Sequence, residues 1–432
     1  MEKYIIEGGI KLKGSINISG SKNAALPILI ATLLTDNKVI LHNVPRLKDV
    51  ETTISIIEFL GKKVIWKNSS SLVVIQSKES IKEKGFVVAP YELIKRMRAS
   101  FLVSGALLAN YDKVKSALPG GCSIGARPVD IHIKAFEQLG IKHYVEEGYE
   151  VFIKQKNFCN KKVCRVKLRY PSVGATENIL MFASRIPQEV IIENTAKEPE
   201  VVDLAEFLKK LGVRIEGAGS SVIKVIGCKK FTSSDIEHTI IPDRIEAGTY
   251  MIAAGITKGE VELKEIIPQH LTSLINKLKK AGVDIETEDK KIFVISKKNL
   301  KSQNITTRPY PYFPTDLQAQ FMALMSIAKG VSIIKETVFE NRFLHVAELN
   351  RMGANIVVDG NKAIVYGVDK LKGAEVMVSD LRAGAALVLA GLAAEGITKV
   401  SHIYHLDRGY ENLEQKLSSL GARIKRVEEA EM

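Results

Sequence analysis

The sequence predicts an α/β protein of two domains, each built from three β-α-β-α-β-β repeats. Two recurring phrases and one displaced strand predict it. The first phrase is helix, glycine, strand, and it occurs six times: IIEFLGKKVIW, AFEQLGIKHYV, FLKKLGVRIEG, KLKKAGVDIET, LNRMGANIVVD and KLSSLGARIKR. Its glycines are Gly61, Gly140, Gly212, Gly282, Gly353 and Gly421, with gaps of 79, 72, 70, 71 and 68 residues. Each follows an amphipathic helical stretch and precedes alternating residues, the place of a left-handed C-cap glycine.

The second phrase runs in phase with the first and reads strand, loop, small-residue helix. Its copies contain SGSKNAALPILIATLL, RMRASFLVSGALLA, YPSVGATENILMFAS, PDRIEAGTYMIAAG, FPTDLQAQFMALMS and SDLRAGAALVLAGLAA. The last repeat stops at GARIKRVEEAEM without the second hairpin strand that the others have, and EKYIIEGGIKLKG at the N-terminus supplies a copy of it. The expected domains are therefore 22–241, and 1–21 joined to 242–432. Such lobes leave a cleft between them, where the active site is expected.

Lys22, Arg98, Ser172, Asp243, Asp316 and Arg382 fall at the starts of the small-residue helices. The free N–H groups of a helix start attract anions.

Composition narrows the partners. There are 62 lysines and arginines against 49 acids, a net charge of +13 over 432 residues. That balance favours anionic partners, or reflects a lysine-rich proteome. No block of five basic residues occurs and aromatic content is 6%, which argues against nucleic acid. The N-terminus carries charges where a signal peptide needs an apolar core, and apolar runs fall short of the roughly 18 residues of a membrane span. The four cysteines, Cys122, Cys159, Cys164 and Cys228, show no metal-ligand spacing. A reducing, cytoplasmic setting and no membrane contact are expected.

No Walker A, G-x-G-x-x-G, H-E-x-x-H or G-x-S-x-G motif is present. Chemistry must come from scattered residues. In PGGCSIGARPVD, Cys122 sits among glycines with Arg127 five residues on. A guanidinium there favours thiolate and suits a nucleophile or an acid-base group; an inert turn thiol is the alternative. Lys22 and Asn23 open a helix, where a lysine opposes the dipole unless an anion intervenes. Asp316 follows the proline-stiffened RPYPYFPTD and reads as a cap acid or as a general base. Asp380, Arg382, Asp407 and Arg408 lie on loops of the last repeat, either as local pairs (Arg382 with Asp380, Arg408 with Asp407) or as ligand contacts, and FENRF adds Arg342. Glu198, Glu200 and Asp203 at a helix start are explained by dipole and capping effects, and the eight histidines show no metal spacing.

Taken together, SGSKNAALP, MRAS, LPGGCSIGARPVDIHI, PSVGATENI, EPEVVDLA, PDRIEAGTYM, FPTDLQAQ, VFENRFLHV, SDLRAGAALVLAG and YHLDRGYE resemble the UDP-N-acetylglucosamine 1-carboxyvinyltransferase family. The likeness runs from about residue 5 to 427. It implies a two-domain inside-out α/β barrel and transfer of enolpyruvate from phosphoenolpyruvate to the sugar 3-hydroxyl, with release of phosphate, the committed step of peptidoglycan synthesis. It implies no cofactor or metal, and a monomer or weak oligomer.

By the same resemblance Cys122 donates the proton to the methylene carbon and can carry a covalent adduct. Asp316 binds the sugar and is the candidate base. Lys22, Arg127 and Arg408 hold the phosphate of phosphoenolpyruvate, and Arg382 with Arg408 its carboxylate. Asn23, Arg98, the run Arg127, Pro128, Val129, Asp130 and Ile131, then Ser172, Val173, Gly174 and Val338 line the UDP-sugar site, with Arg342 a further substrate contact. The cysteine implies sensitivity to the epoxide fosfomycin. Ser21 departs from an expected alanine, and Glu177 and Asn178 fall at variable positions. The rival readings are the sister 5-enolpyruvylshikimate-3-phosphate synthases, which lack the cysteine loop, an RNA-binding module, and an inactive paralogue.

Overall fold

The computed structural model describes residues 2–77, 82–83, 85–95, 97–118, 129–156 and 158–428, with backbone alone at 82, 83 and 98. Two compact units divide these residues. One holds 2–19 and 242–428, and the other 20–118 and 129–241. Each has its own hydrophobic core.

Six helices form the inside of the units. In the unit of residues 20–241 they are α1 (Lys22–Ala31), α2 (Val103–Asn110) and α3 (Val173–Ala183). In the other they are α4 (Arg244–Ile256), α5 (Gln318–Met325) and α6 (Leu381–Ala393). Between their first turns and their last residues they are buried on every side. A helix apolar all round must sit inside a core, and small residues let such helices approach closely. The second repeat differs from one continuous helix. Tyr91–Ile94 and a 3-10 turn, Arg98–Leu102, precede α2.

Six mixed sheets cover the helices, three per unit. The fold is the inside-out α/β barrel of six repeats. In Ile305–Thr306, Val331–Lys335, Lys362–Tyr366 and Asn355–Asp359, the first pair is parallel and the others antiparallel. All six repeat glycines are left-handed, with φ between +88 and +105, a conformation that a side chain strains.

Two strands are exchanged relative to chain order. Lys13–Asn17, just before α1 in the chain, pairs in parallel with Glu260–Lys264 of its own unit, that of residues 2–19 and 242–428. Ile236–Thr239, just before α4, pairs in parallel with Val39–His42. Glu2–Glu7 lies between Ile397–Ser401 and Arg423–Glu428, antiparallel to both. Among the described residues no helix is long and apolar enough to cross a membrane.

Candidate active site

In the unit of residues 20–241, Ser21 caps α1, its Oγ accepting from the Ala24 amide at 3.3 Å. That places Lys22 and Asn23 in the first turn. The Lys22 ammonium lies 3.0 Å from Asp49 Oδ2, with side chains only 12% and 6% exposed. An anion therefore does offset the helix dipole at Lys22, and it comes from the protein. Ser172 caps α3 in the same way, accepting from Ala175 at 3.3 Å, so Val173 and Gly174 form the first turn. Val129 is the buried cap residue of helix Asp130–Gln138, and Asp130 Oδ2 pairs with Arg169 at 2.6 Å. Ile131 packs against the core. Arg98 opens the 3-10 turn; its side chain, together with Cys122, Arg127 and Pro128, lies outside the described residues.

In the other unit the polar groups converge on Asp316. It stands in the 3-10 turn Thr315–Leu317, directly before α5, and is the cap residue of neither, those being Pro314 and Leu317. Arg342 Nη2 donates to its Oδ1 at 3.1 Å and Arg382 Nη2 to its Oδ2 at 3.0 Å. Both arginine side chains are about 95% buried, whereas Asp316 is 27% exposed. Burial alone would weaken the Arg382 cation, but Asp316, Tyr410 and Asp243 outweigh it and hold the guanidinium above its usual range. Arg382 Nη1 is buried with no hydrogen-bond partner among the described residues. A guanidinium has five N–H donors in a planar fork, the geometry that suits carboxylate and phosphate oxygens.

The local pairs expected in the last repeat do not form. Asp380 caps α6, its Oδ1 accepting from the Arg382 and Ala383 amides at 3.0 and 3.1 Å. That leaves the Arg382 side chain to reach Asp316. Asp407 pairs with Arg426, at 2.5 Å, instead of with Arg408. Arg408 ends the 3-10 helix Ile403–Arg408. Burial first, and then the Arg408 charge, push the His405 imidazole down. The acids near Glu198 also do more than cap. Glu198 makes no cap bond, and Asp203 holds His238 at 2.9 Å and the Ile241 amide at 3.2 Å.

Sequence reasoning missed the residues that hold these groups. Glu336, 2% exposed, accepts from Thr307 and Thr315 hydroxyls at 2.7 and 2.9 Å and from the Val338 amide at 2.8 Å. It thereby ties the Val338 loop to the turn carrying Asp316. Tyr410 packs its ring 5.4 Å from the Arg382 guanidinium, and its hydroxyl meets Thr249 at 2.9 Å and Gln320 at 3.1 Å. The only sequence signal was an acid or a tyrosine beside a candidate arginine.

Comparison with known proteins adds a family. A model of EPSP synthase (3-phosphoshikimate 1-carboxyvinyltransferase) matches residues 6–417. A UDP-N-acetylglucosamine 1-carboxyvinyltransferase of Endomicrobium trichonymphae is 53% identical over 425 residues, 98% of this chain and 99% of that protein. The corresponding protein 2 of Carboxydothermus hydrogenoformans is 52% identical, covering 99% of this chain and 100% of its own length. Among solved structures, the enolpyruvyl transferase NikO from Streptomyces tendae has a TM-score of 0.86 at 22% identity, with 98% of both chains covered. An EPSP synthase of Acinetobacter baumannii has 0.75 at 16% identity, covering 99% of this chain and 100% of that one.

Proposed function

The chain belongs to the enolpyruvyl transferase family of UDP-N-acetylglucosamine 1-carboxyvinyltransferases, and on that premise we propose that it transfers enolpyruvate from phosphoenolpyruvate to the 3-hydroxyl of UDP-N-acetylglucosamine, in the cytoplasm, as the committed step of peptidoglycan synthesis. The observation that carries the reading is Asp316, itself partly exposed, held by two buried arginines. An acid and fixed cations in one place are what this chemistry needs.

Phosphoenolpyruvate becomes electrophilic only when its methylene carbon is protonated and C2 turns cationic. Cys122 is the proposed proton donor. Asp316 is the proposed acceptor of the 3-hydroxyl proton. The oxygen then bonds to C2, giving a tetrahedral ketal. Loss of phosphate and of a proton from the new methyl group regenerates the double bond. The two substrates together carry about five negative charges at neutral pH. Lys22, Arg127 and Arg408 are proposed on the phosphate, and Arg382 with Arg408 on the carboxylate. Asn23, Arg98, Arg127 to Ile131, Ser172, Val173, Gly174, Val338 and Arg342 are proposed around the UDP-sugar. Preorganised cations of this kind stabilise developing charge in place of a metal.

Phosphate release tests this. Purified protein is given phosphoenolpyruvate with UDP-N-acetylglucosamine or with shikimate 3-phosphate. Release with the UDP-sugar alone, lost in Cys122→Ala, is expected. Release with shikimate 3-phosphate would transfer the protein to the sister branch. RNA binding that weakens steeply with salt, and no turnover, would favour a nucleic-acid module. Fosfomycin is expected to add its carbon skeleton to the Cys122 thiol, read by peptide mass spectrometry.

A further inference from the structure

Glu336 follows the strand Val331–Lys335 and opens the segment 336–342, which carries Val338. Its side chain is buried, and donors from three stretches of chain converge on it. Oε1 accepts from the Thr307 hydroxyl at 2.7 Å, the Val338 amide at 2.8 Å and the Phe339 amide at 3.2 Å. Oε2 accepts from the Thr315 hydroxyl at 2.9 Å. The Thr307 oxygen itself accepts from the Thr337 amide at 3.0 Å, which leaves its hydrogen for Glu336.

The two oxygens therefore do different things. Through Oε1 the side chain holds its own loop in shape. Through Oε2 it fastens that loop to the turn Thr315–Leu317. The far end of the segment reaches the same turn, since Arg342 Nη2 donates to Asp316 Oδ1 at 3.1 Å. Between the two ends, the Arg342 guanidinium lies 5.1 Å from the Phe339 ring. Residues 336 and 342 are thus bound to consecutive residues, Thr315 and Asp316. A segment tethered at both ends to one turn moves with that turn.

We propose that Glu336 is a positioning residue that sets the separation between Asp316 and Val338, and through it the fit of the sugar of the UDP substrate. It bonds to Val338 directly and to the neighbour of Asp316, so it spans the two elements that must keep that separation. This rests on the reading above, in which Asp316 and Val338 both face the sugar. None of the residues proposed for phosphoenolpyruvate lies in this segment or this turn.

The test has a structural arm and a kinetic arm, both on the full chain. Hydrogen-exchange mass spectrometry with electron-transfer fragmentation reads the Val338 and Phe339 amides singly. Both are expected to exchange more than about tenfold more slowly than in an unstructured peptide. Exchange at the peptide rate would overturn the proposal without any kinetics. Thr315→Val keeps the shape of the side chain and removes the donor to Oε2 alone. KM for UDP-N-acetylglucosamine is then expected to rise about tenfold, the scale of one lost hydrogen bond, with KM for phosphoenolpyruvate unchanged. Thr315→Ser returns the hydroxyl and is expected to return KM to the wild-type value. Glu336→Gln keeps an acceptor for both amides and offers Nε2 to a Thr315 hydroxyl that can turn to accept, so its KM is expected to stay close to wild type. Glu336→Ala removes all of these bonds, so adding Thr315→Val to it is expected to cost nothing further. An unchanged KM in the valine variant, equal changes in both KM values, a serine variant as weak as the valine one, or additive effects in the double variant would each overturn the proposal. If Glu336→Ala does not fold, the exchange rates and the valine–serine pair decide. A wild-type protein with no turnover of the UDP-sugar would instead sink the functional reading, while the exchange rates stayed measurable.

Discussion

Arg382 reaches back 66 residues to Asp316, its Nη2 donating to Oδ2 at 3.0 Å. The side chain is 5% exposed, and its other terminal nitrogen is buried with no hydrogen-bond partner among the described residues. Lysine cannot copy this, because an ammonium is a single point charge and a guanidinium is a planar fork. Arg382→Lys is expected to lower kcat/KM for phosphoenolpyruvate about 100-fold, the loss typical of one preorganised donor. Arg382→Ala is expected also to destabilise the fold by about 3 kcal/mol, through the partner left without its counter-charge. Steady-state kinetics and urea unfolding measure the two. Full activity in the lysine variant would mean that the fork is not used.

The Lys22–Asp49 pair predicts a different pattern. Both side chains are nearly buried, and Lys22 sits where the α1 dipole opposes it. Asp49→Ala is expected to lower stability by about 3 kcal/mol. A bound anion can replace the lost carboxylate. Phosphoenolpyruvate is therefore expected to raise the melting temperature of Asp49→Ala more than that of wild type. An equal rise in both would place the phosphate away from Lys22.

The repeat architecture was readable because each repeat announces itself locally. A left-handed glycine at Gly353 or Gly421 needs no partner to be recognised, since its φ of 89 or 93 is a property of the chain itself. The strand Glu2–Glu7 was readable for a similar reason, as a copy of a strand the last repeat lacks. The clamp on Asp316 was not. Its partners lie 26 and 66 residues away, and local spacing suggested Asp380 for Arg382 instead. Glu336 and Asp49 were hidden in the same way. Each is an ordinary acid in sequence, and its meaning depends on turns brought together by the sheets.

Arg426 joins the two ends of the chain. It contacts Asp407 at 2.5 Å, Glu2 at 2.9 Å, Glu414 at 3.3 Å and the Tyr4 hydroxyl at 3.0 Å. Asp407 is the residue before Arg408, so this network also anchors the 3-10 helix carrying that arginine. With the side chain 26% exposed, Arg426→Ala is expected to cost about 2 kcal/mol, less than a fully buried pair. KM for phosphoenolpyruvate is expected to rise with it. Glu2→Ala, at the exposed rim, is expected to cost under about 1 kcal/mol. Chemical denaturation of both variants checks the order, and a larger loss in Glu2→Ala would contradict it.

His345 predicts how the fold responds to acid. It precedes helix Val346–Arg351, is 2% exposed, and its Nε2 has no hydrogen-bond partner among the described residues. Burial pushes its imidazole from 6.5 down to about 4, with Asp380 pulling upward and Arg342 pushing further down. In the folded protein the ring therefore stays neutral until about pH 4. In the unfolded chain it takes a proton below about 6.5. Between these values the unfolded state holds the extra proton, so stability falls as pH falls. The contribution is complete above pH 6.5 and is lost towards pH 4, up to about 3 kcal/mol. His345→Gln has no such proton to take up. Its unfolding free energy is expected to fall less steeply than that of wild type between pH 6.5 and 4, whatever the variant's stability at pH 7. Parallel curves through that window would show that His345 is protonated in the fold as readily as in the unfolded chain.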